Sequence, residues 1–166
     1  DPAVQSLIPN MKRRFLTFGA AAQADFSIQE ATTENLGSSF VLRFSGNNRQ
    51  AVKLAVPGVH NILNAAAAFA AAYDMGVEPE LIASALAEFK GVERRFQIKR
   101  RDGITVIDDY AHHPTEIRAT LAAARSGNFR RIFAVFQPHR FTRTFHFFDD
   151  FARAFNAADA ALILDI

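Results

Sequence analysis

The sequence predicts an α/β protein in two successive parts, a β-rich part and then a part built on a parallel sheet. Residues 13–56 contain short β-prone runs separated by turn residues. From about residue 97, apolar strands alternate with helical segments. Strands that are apolar along their whole length are typical of a parallel sheet covered by helices. We therefore place a domain boundary near residues 95–98, between parts 1–96 and 97–166.

The β-rich part contains four predicted strands followed by two predicted helices. The strand segments read RFLTFG, DFSIQEATTEN, SSFVLRFSG and QAVKLAVPG. The SGNN turn between the last two predicts a hairpin. An Ala-rich helix from about Asn61 ends at Gly76, and a second helix begins near Pro79. The segment KGVERRFQ, residues 90–97, predicts a charged loop.

The second part reads as strand, helix, strand, helix, strand. The segments are ITVID, PTEIRATLAAAR, RIFAVF, TRTFHFFDDFARAF and AALILDI. Pro114 lies at an early position of the first helix, where proline is favoured. The chain begins without Met and ends on a strand-like run, so we expect it to be a piece of a longer protein.

Composition narrows the classes of function. The chain has 166 residues, of which 49% are hydrophobic and 17 are Phe, so it can bury a substantial core. The longest apolar runs fall short of the roughly 18 residues that a membrane helix needs. The chain has no Cys, which excludes disulfides, thiolate metal sites and Cys nucleophiles. The net charge is +2 and basic residues form short clusters, which suit small anions better than nucleic acid.

Polar clusters follow the first two strands of the second part. DDYAHHP follows ITVID, and QPHRFTR follows RIFAVF. Ligands of open parallel sheets bind at the carboxyl ends of the strands. If these two strands are neighbours, the following side chains converge on one rim: His112, His113, His139, Arg140 and Arg143.

Arg140 and Arg143 suggest an anion site. They are three residues apart and share a face if both are helical. They lie at the start of a predicted helix, where the macrodipole disfavours cations. Forked guanidinium groups suit a carboxylate or a phosphate. The alternative is a solvated surface pair or a salt bridge to Asp149 or Asp150.

The DDYAHH cluster allows more than one interpretation. A zinc site could use Asp108, one histidine and His139, but adjacent histidines in an extended chain point in opposite directions. A structural interpretation has His113 capping the helix before Pro114 and Asp109 packing at the strand end. That interpretation explains single residues better than it explains the whole cluster.

Two further groups lie near the predicted boundary. Asn61 and Asn64 share a helical face, and their amides could read a base edge by paired hydrogen bonds. Ordinary N-capping by Asn is the alternative. Arg94 and Arg95 lie at the junction of the two parts, where ligands often bind, and a surface pair is equally compatible with their spacing.

Four motifs in order resemble the Mur ligase family: GVHNILNAAAAFAAAYDMGV, GVERRFQ, VIDDYAHHPTEI and FQPHRFTRT. The resemblance covers about residues 50–166, with residues 1–50 fitting more weakly. It implies the β-rich end of a P-loop ATPase domain followed by a Rossmann-like amino-acid-binding domain, both incomplete. Within the family, DDYAHHPTE and FQPHRFTRT are similar to the branch that joins L-alanine to UDP-N-acetylmuramate in peptidoglycan precursor synthesis.

The resemblance also implies a reaction and its residues. ATP phosphorylates the sugar-linked carboxylate, and the amine of the amino acid attacks the acyl phosphate. His60, Asn61 and Asn64 match adenine-side residues, Arg95 (or Arg94) meets the phosphates, and Asp108 with adjacent Tyr110 contacts the nucleotide. His112, Arg140 and Arg143 match the L-alanine site, with His139 as a secondary candidate. In this interpretation catalysis relies on orientation and charge neutralisation more than on proton transfer.

The family's remaining machinery is not found in this sequence. It has no G-x-x-G-K-[ST] phosphate loop, and the resemblance implies that the Mg²⁺ ligands and the UDP-sugar domain lie in a missing N-terminal part. We expect these 166 residues alone to be inactive, and the parent to be a cytoplasmic enzyme without membrane or nucleic-acid partners. Alternatives are another Mur-type amino-acid or peptide ligase, a non-catalytic nucleotide-binding module, and a metal-dependent hydrolase.

Overall fold

The structure, a computed structural model, describes residues 2–166. After a short helix α1 (Pro2–Gln5) and a 3₁₀ turn (Ile8–Asn10), the chain forms a four-stranded sheet. Its strands in spatial and chain order are β1 (Phe18–Gly19), β2 (Phe26–Glu34), β3 (Gly37–Phe44) and β4 (Asn48–Leu54). β1 pairs with β2 in parallel, and the other pairs are antiparallel. The SGNN hairpin prediction is confirmed, since β3 and β4 flank that turn.

Two helices cover one face of this sheet. They are α2 (Val59–Asp74) and α3 (Pro79–Glu88). Alternate residues of β3 are buried, which is the pattern of a strand with one face on a core. Phe69 of α2 is fully buried there, with its ring 5.3 Å from Phe44 and 6.4 Å from Phe26. Small Ala65 and Ala66 let the helix backbone approach the sheet.

The second part contains two separate two-stranded sheets. The elements are β5 (Gln97–Asp102), β6 (Ile104–Asp108), α4 (Pro114–Arg125), β7 (Phe133–Phe136), α5 (Phe141–His146), α6 (Phe148–Ala154) and β8 (Ala160–Ile163). β5 and β6 form an antiparallel hairpin, and β7 pairs with β8 in parallel. The apolar strands ITVID and RIFAVF, which we expected to be possible neighbours, are not paired with each other.

Two features of the second part differ from the predictions. β5 was not predicted: only Gln97 fell within the predicted loop, and the charged sequence QIKRRD, of which five of six residues are exposed, lacks the apolar pattern of the other strands. It forms a strand since Gly103, with φ +67°, turns the chain back onto β6. The single helix predicted over residues 142–155 is two helices, because Phe147 leaves the helical region at φ −115°, ψ 26°.

A second core lies beneath α4. Its buried apolar residues are Leu36, Phe96, Ile117, Leu121, Ala123, Ala124, Ile132 and Ala154. Leu36 comes from the β2–β3 turn, so this turn of the first part packs into the core of the second. Among residues 2–166, no helix is long and apolar enough to cross a membrane.

Candidate functional site

A cleft of about 710 Å³ lies where the first turns of α2 face α4. Its polar lining includes His60, Asn61, Asn64, Arg95, Asp109 and Glu116. Its apolar wall includes Leu54, Val56, Leu86, Phe89 and Val92. An apolar cleft with a few convergent polar groups is the usual form of a small-molecule site. The cleft brings together the four candidates that the sequence placed far apart, at positions 60–64 and at position 95.

His60 occupies the first turn of α2 and is half-buried. Burial has the largest influence on the pKa of His60 and lowers it. The charge of Asp109 raises this pKa, and the charge of Arg95 lowers it further. The net effect is a pKa below the usual value of 6.5, so the imidazole is neutral at pH 7. Gly58 makes this position possible, because a Cβ there would lie 2.7 Å from His60 Cε1.

The two asparagines of α2 have different roles in the structure. The Asn61 side-chain amide donates a 2.7 Å hydrogen bond to the carbonyl of Pro57, which fastens the entry to the helix. Neither residue is the N-cap, which is Gly58, so the N-capping alternative is wrong. Asn64 is exposed and lines the cleft. Its amide can therefore offer a donor and an acceptor to a ligand.

The adjacent arginines of the ERRF loop point to different partners. Arg95 Nη1 lies 3.8 Å from Glu116 Oε1, and Arg95 lines the cleft. Arg94 stacks on the Tyr110 ring at 4.7 Å and lies 3.8 Å from Asp108 Oδ2. Of the two, Arg95 is the one placed to meet a ligand in the cleft.

The loop that carries these arginines is strained and clamped. Arg94 and Phe96 have positive φ angles of 55° and 50°, which residues other than glycine rarely adopt. Asp109 holds this conformation: its Oδ2 accepts from Phe96 N at 2.9 Å, and its Oδ1 accepts from Ala111 N at 2.7 Å. Tyr110 N donates to the carbonyl of Arg94 at 2.7 Å. Non-glycine strain of this kind is concentrated at functional sites.

Of the paired carboxylates, Asp109 and not Asp108 lines the cleft. Successive residues of an extended chain point in opposite directions, so only one of the two can face it. The family resemblance implies a nucleotide contact for Asp108, which in the structure lies beside Arg94. The two backbone hydrogen bonds of Asp109 agree with the alternative prediction that this residue packs at the strand end.

Adjacent His112 and His113 make different contacts. His113 caps α4: its Nδ1 accepts from Thr115 N at 3.3 Å, and Glu116 Oε2 accepts from His113 N at 3.1 Å. This confirms the helix-cap interpretation. His112 N also donates to Glu116 Oε2, at 2.9 Å, and His112 Nδ1 lies 2.8 Å from the carbonyl of Tyr110.

Glu116, which was not predicted from the sequence, connects Arg95 with His112. Partial burial is the largest single influence on its pKa and raises it, but two backbone hydrogen bonds and the charges of His112 and Arg95 outweigh burial. The pKa is therefore lowered from its usual 4.5, and the carboxylate is ionised at neutral pH. The signal in the sequence was its position three residues after a helix cap, the spacing of a capping box.

Arg143 links the ends of two segments that follow β6 and β7. Its Nη1 lies 3.5 Å from the carbonyl oxygens of both His112 and His139. The segments that follow β6 and β7 thus meet at Arg143, although the two strands do not pair with each other, which was the condition under which we expected their side chains to converge. α5 ends at His146, so Arg143 lies in its last turn and the macrodipole argument does not apply to it.

Arg140 is exposed and has an unusual backbone, with φ +74° at the N-cap of α5. Within residues 2–166, neither Arg140 nor Arg143 forms an ion pair with a carboxylate. The predicted alternative, a salt bridge to Asp149 or Asp150, is therefore wrong for the described chain; Asp150 lies 4.0 Å from Arg118. The structure is compatible both with a solvated surface pair and with an anion site, since Arg140 is exposed and, among the described residues, the Arg143 side chain forms hydrogen bonds only to backbone carbonyls.

The zinc interpretation needs three converging ligands. In the part of the chain that the structure describes, no three His, Asp or Glu side chains are grouped to hold a metal ion.

Comparison with known families matches both parts of the chain. The Mur ligase middle domain matches residues 1–72, and the Mur ligase glutamate ligase domain matches residues 94–165. The chain belongs to the Mur ligase family. The fold is the mixed α/β arrangement of the middle and C-terminal domains of Mur ligases.

Individual Mur ligases show the same relationship. The chain is 49% identical to the UDP-N-acetylmuramate–L-alanine ligase of Solibacter usitatus over 100% of its length and 35% of that protein. It is 47% identical to the same ligase of Syntrophotalea carbinolica, covering 100% of the chain and 36% of that protein. A crystal structure of the UDP-N-acetylmuramate–alanine ligase of Thermotoga maritima superimposes with a TM-score of 0.81 at 34% identity, covering 91% of this chain and 34% of that one. The chain thus spans about a third of the length of these Mur ligases.

Proposed function

We propose that this chain is part of an ATP-dependent ligase that joins L-alanine to UDP-N-acetylmuramate. The γ-phosphate of ATP passes to the sugar-linked carboxylate, and the amine of L-alanine then displaces phosphate to form an amide. The names and identities of the relatives support this reaction. The observation that supports the proposal most directly is the meeting of the ERRF and DDYAHH loops beside the cleft, close to Arg143, which has no carboxylate partner within residues 2–166.

The nucleotide belongs in the cleft. His60, Asn61 and Asn64 are on its α2 side, where a neutral imidazole and two amides suit an adenine base. Arg95 lines the same cleft and offers a cation to the phosphates. Asp108 and Tyr110, which both lie beside Arg94, remain our candidates for contact with the ribose. Asp109 lies between them in the chain and fixes the loop through its two backbone hydrogen bonds.

The amino acid belongs beside the cleft. Arg140 and Arg143 would hold its carboxylate, His112 would lie near its amine, and His139 is a secondary candidate. Glu116 contacts both Arg95 and His112, so the two ligands would lie on either side of one side chain. Holding two reactants in contact can supply a large part of a rate enhancement.

The remaining requirements lie outside the described residues. Mg²⁺, which the family resemblance implies, has no cluster of acidic or histidine ligands within residues 2–166, and no step here depends on it. We place UDP-N-acetylmuramate on the rest of the enzyme, and the enzyme in the cytoplasm. The 166-residue chain alone should show no turnover, and turnover by the purified chain would overturn that part of the proposal.

The test uses the full-length enzyme with UDP-N-acetylmuramate, ATP and Mg²⁺. Phosphate release is followed with L-alanine, glycine, L-serine, D-glutamate and diaminopimelate in parallel. We expect L-alanine to be preferred strongly, and Arg140→Ala to raise its KM at least tenfold. Arg153→Ala, an exposed arginine of α6, is the control. Preference for another amino acid or a peptide assigns the chain to a different Mur branch, and ATP binding without turnover favours a binding module.

A further inference from the structure

The adjacent histidines are held in opposite tautomers. His113 Nδ1 faces the backbone N–H of Thr115 at 3.3 Å, and this N–H can only donate. The Nδ1 of His113 must therefore accept, and the neutral ring carries its proton on Nε2. This ring also packs edge-on against Phe147, with centroids 4.7 Å apart. His113 is thus committed to capping α4 and to packing.

His112 is held the other way round. Its Nδ1 lies 2.8 Å from the carbonyl oxygen of Tyr110, and a carbonyl can only accept. Nδ1 must therefore carry the proton. Glu116 Oε2 lies 3.6 Å from the same nitrogen, and a carboxylate there favours the same tautomer. The neutral ring consequently has its free lone pair on Nε2.

The Nε2 of His112 is available to a ligand. Within residues 2–166 this nitrogen makes no hydrogen bond, and 28% of the side chain is exposed. The guanidinium of Arg143 lies 3.5 Å from the carbonyl of His112. An amino acid whose carboxylate is bound by Arg143 would therefore bring its amine close to this histidine.

We propose that Nε2 of His112 accepts the proton that the ammonium group of the incoming amino acid must lose. The inference rests on the proposed function and goes beyond the positioning role given to His112 above. An α-amino group is protonated at neutral pH and has no lone pair for attack. A histidine oriented through Nδ1 by a backbone carbonyl or a carboxylate is a common form of general base.

The step balances without a further reactant. The proton passes from the ammonium to Nε2, which leaves a neutral amine and an imidazolium. The amine nitrogen then forms a bond to the acyl carbon, and the bond from that carbon to the phosphate oxygen breaks. Phosphate leaves with the electron pair, and the amide nitrogen loses its second proton to solvent.

Charges around His112 suit this step. Glu116 lies on the Nδ1 side, where its negative charge stabilises the imidazolium that forms. The positive charges nearby are Arg143 at the His112 carbonyl and Arg95 beyond Glu116. The Tyr110 ring lies edge-on to the imidazole, with centroids 5.0 Å apart, and limits its rotation.

The first test compares kcat/KM for L-alanine across pH in the full-length enzyme. His112→Gln keeps a polar side chain but cannot accept a proton, so we expect a loss of about 100-fold or more at pH 7. The loss should shrink at least tenfold by pH 9, because more of the amino acid is then already deprotonated. His146→Gln, an exposed histidine of α5, is the matched control. A loss of equal size at both pH values would overturn the proposal.

The second test replaces L-alanine by hydroxylamine, a nucleophile that is neutral at pH 7. It intercepts acyl phosphates as hydroxamates and needs no base. We expect His112→Gln to form hydroxamate within threefold of the wild-type rate while it loses alanine ligation. Loss of both activities would overturn the role as base. If the wild-type enzyme forms neither hydroxamate nor amide, the proposed function itself fails.

The tautomer can be tested without turnover. Long-range ¹H–¹⁵N NMR spectra of the full-length enzyme labelled with ¹⁵N-histidine distinguish Nδ1–H from Nε2–H rings. Assignment uses His112→Gln and His113→Gln. We expect Nδ1–H for His112 and Nε2–H for His113. An Nε2–H ring at His112 would contradict the proposal, whatever the kinetics show.

Discussion

The two parts of the molecule contrast in how they bury their apolar side chains. In the first part, a continuous four-stranded sheet packs under α2 and α3, and Phe69 and Leu42 are completely buried. In the second part, two separate pairs of strands leave Phe133 and Val135 about two-thirds exposed, at 65% and 67%. Within this 166-residue chain, the first part therefore carries the larger share of the stability.

The polar contacts are distributed in the opposite way. The hydrogen bonds that fix the site lie in the loops before β5 and after β6, where the backbone is strained at Arg94 and Phe96. The first part supplies the start of α2, a regular and well-packed element. In the proposed function this contrast corresponds to a division of roles: the well-packed start of α2 would receive the base, and the polar loops would arrange the reacting groups.

The contrast in burial predicts the largest effect. Phe69→Ala should lower the free energy of unfolding of this 166-residue chain by about 3–5 kcal/mol, because it empties a fully packed site. Phe133→Ala, the same change in β7, should shift it by no more than about 0.5 kcal/mol. Thermal or urea unfolding measures both. Equal effects would mean that the two parts do not differ in packing as described.

The second prediction concerns the site of the second part. Arg143→Ala in the full-length enzyme should lower kcat/KM for L-alanine roughly 100-fold, about 2.8 kcal/mol, since two charge-assisted hydrogen bonds are lost. The hydrogen bonds that Arg143 makes in the chain are long, at 3.5 Å, so stability should change little. Arg153→Ala is the control. A large fall in Tm with unchanged kcat/KM would make Arg143 a structural residue.

The third prediction tests the α2 surface. Gly58→Ala and Gly76→Ala place a Cβ at positive φ, +105° and +86°, at opposite ends of α2. Each should cost about 1–3 kcal/mol of stability from backbone strain. Only at Gly58 would the Cβ also meet His60, since nothing lies within 4 Å at Gly76.

Nucleotide binding separates these two variants. Gly58→Ala should weaken ATP binding about tenfold, as displaced His60 leaves the cleft wall, whereas Gly76→Ala should leave the Kd within twofold. Isothermal titration of the full-length enzyme provides the measurement. Equal Kd values would place the adenine away from His60.

Turn residues and β-prone runs made the first part predictable from sequence. The SGNN hairpin and the Gly76 helix stop follow from local residue preferences, which tertiary contacts reinforce. β5 could not be predicted in the same way, because a charged edge strand forms only through pairing with β6. Tertiary pairing also explains why the apolar strands ITVID and RIFAVF are not adjacent: β6 pairs with β5, and β7 pairs with β8.

The sequence predicted which residues line the site better than it predicted where their side chains point. His60, Asn61, Asn64 and Arg95 do line one cleft. Asp108 and Asp109 are identical in chemistry and adjacent, so only the direction of the chain after β6 decides which of them faces it. Glu116 was missed although it lies three residues after the predicted cap His113, because the usual capping box begins with Ser or Thr and not with His.

The smallest expected effect concerns this capping box. Glu116→Gln should destabilise the chain by about 1 kcal/mol at pH 7, since the carboxylate accepts two backbone hydrogen bonds. Because about a third of the side chain is exposed, its ion pairs with Arg95 and His112 add little to this. Glu80→Gln in the first turn of α3, a helix without a side-chain cap, is the matched control in the first part.

The effect of Glu116→Gln should also depend on pH. The folded state lowers the pKa of Glu116 below 4.5, so the unfolded chain binds the proton more readily. The charge-dependent stabilisation is therefore complete above the unfolded pKa and is lost as pH falls through the lower folded value. Chemical unfolding at pH 7 and near pH 3 should show the difference between wild type and variant shrinking in acid, while the Glu80→Gln difference stays small at both. If the stability difference between wild type and Glu116→Gln grows in acid, the carboxyl group stabilises the start of α4 in its protonated form.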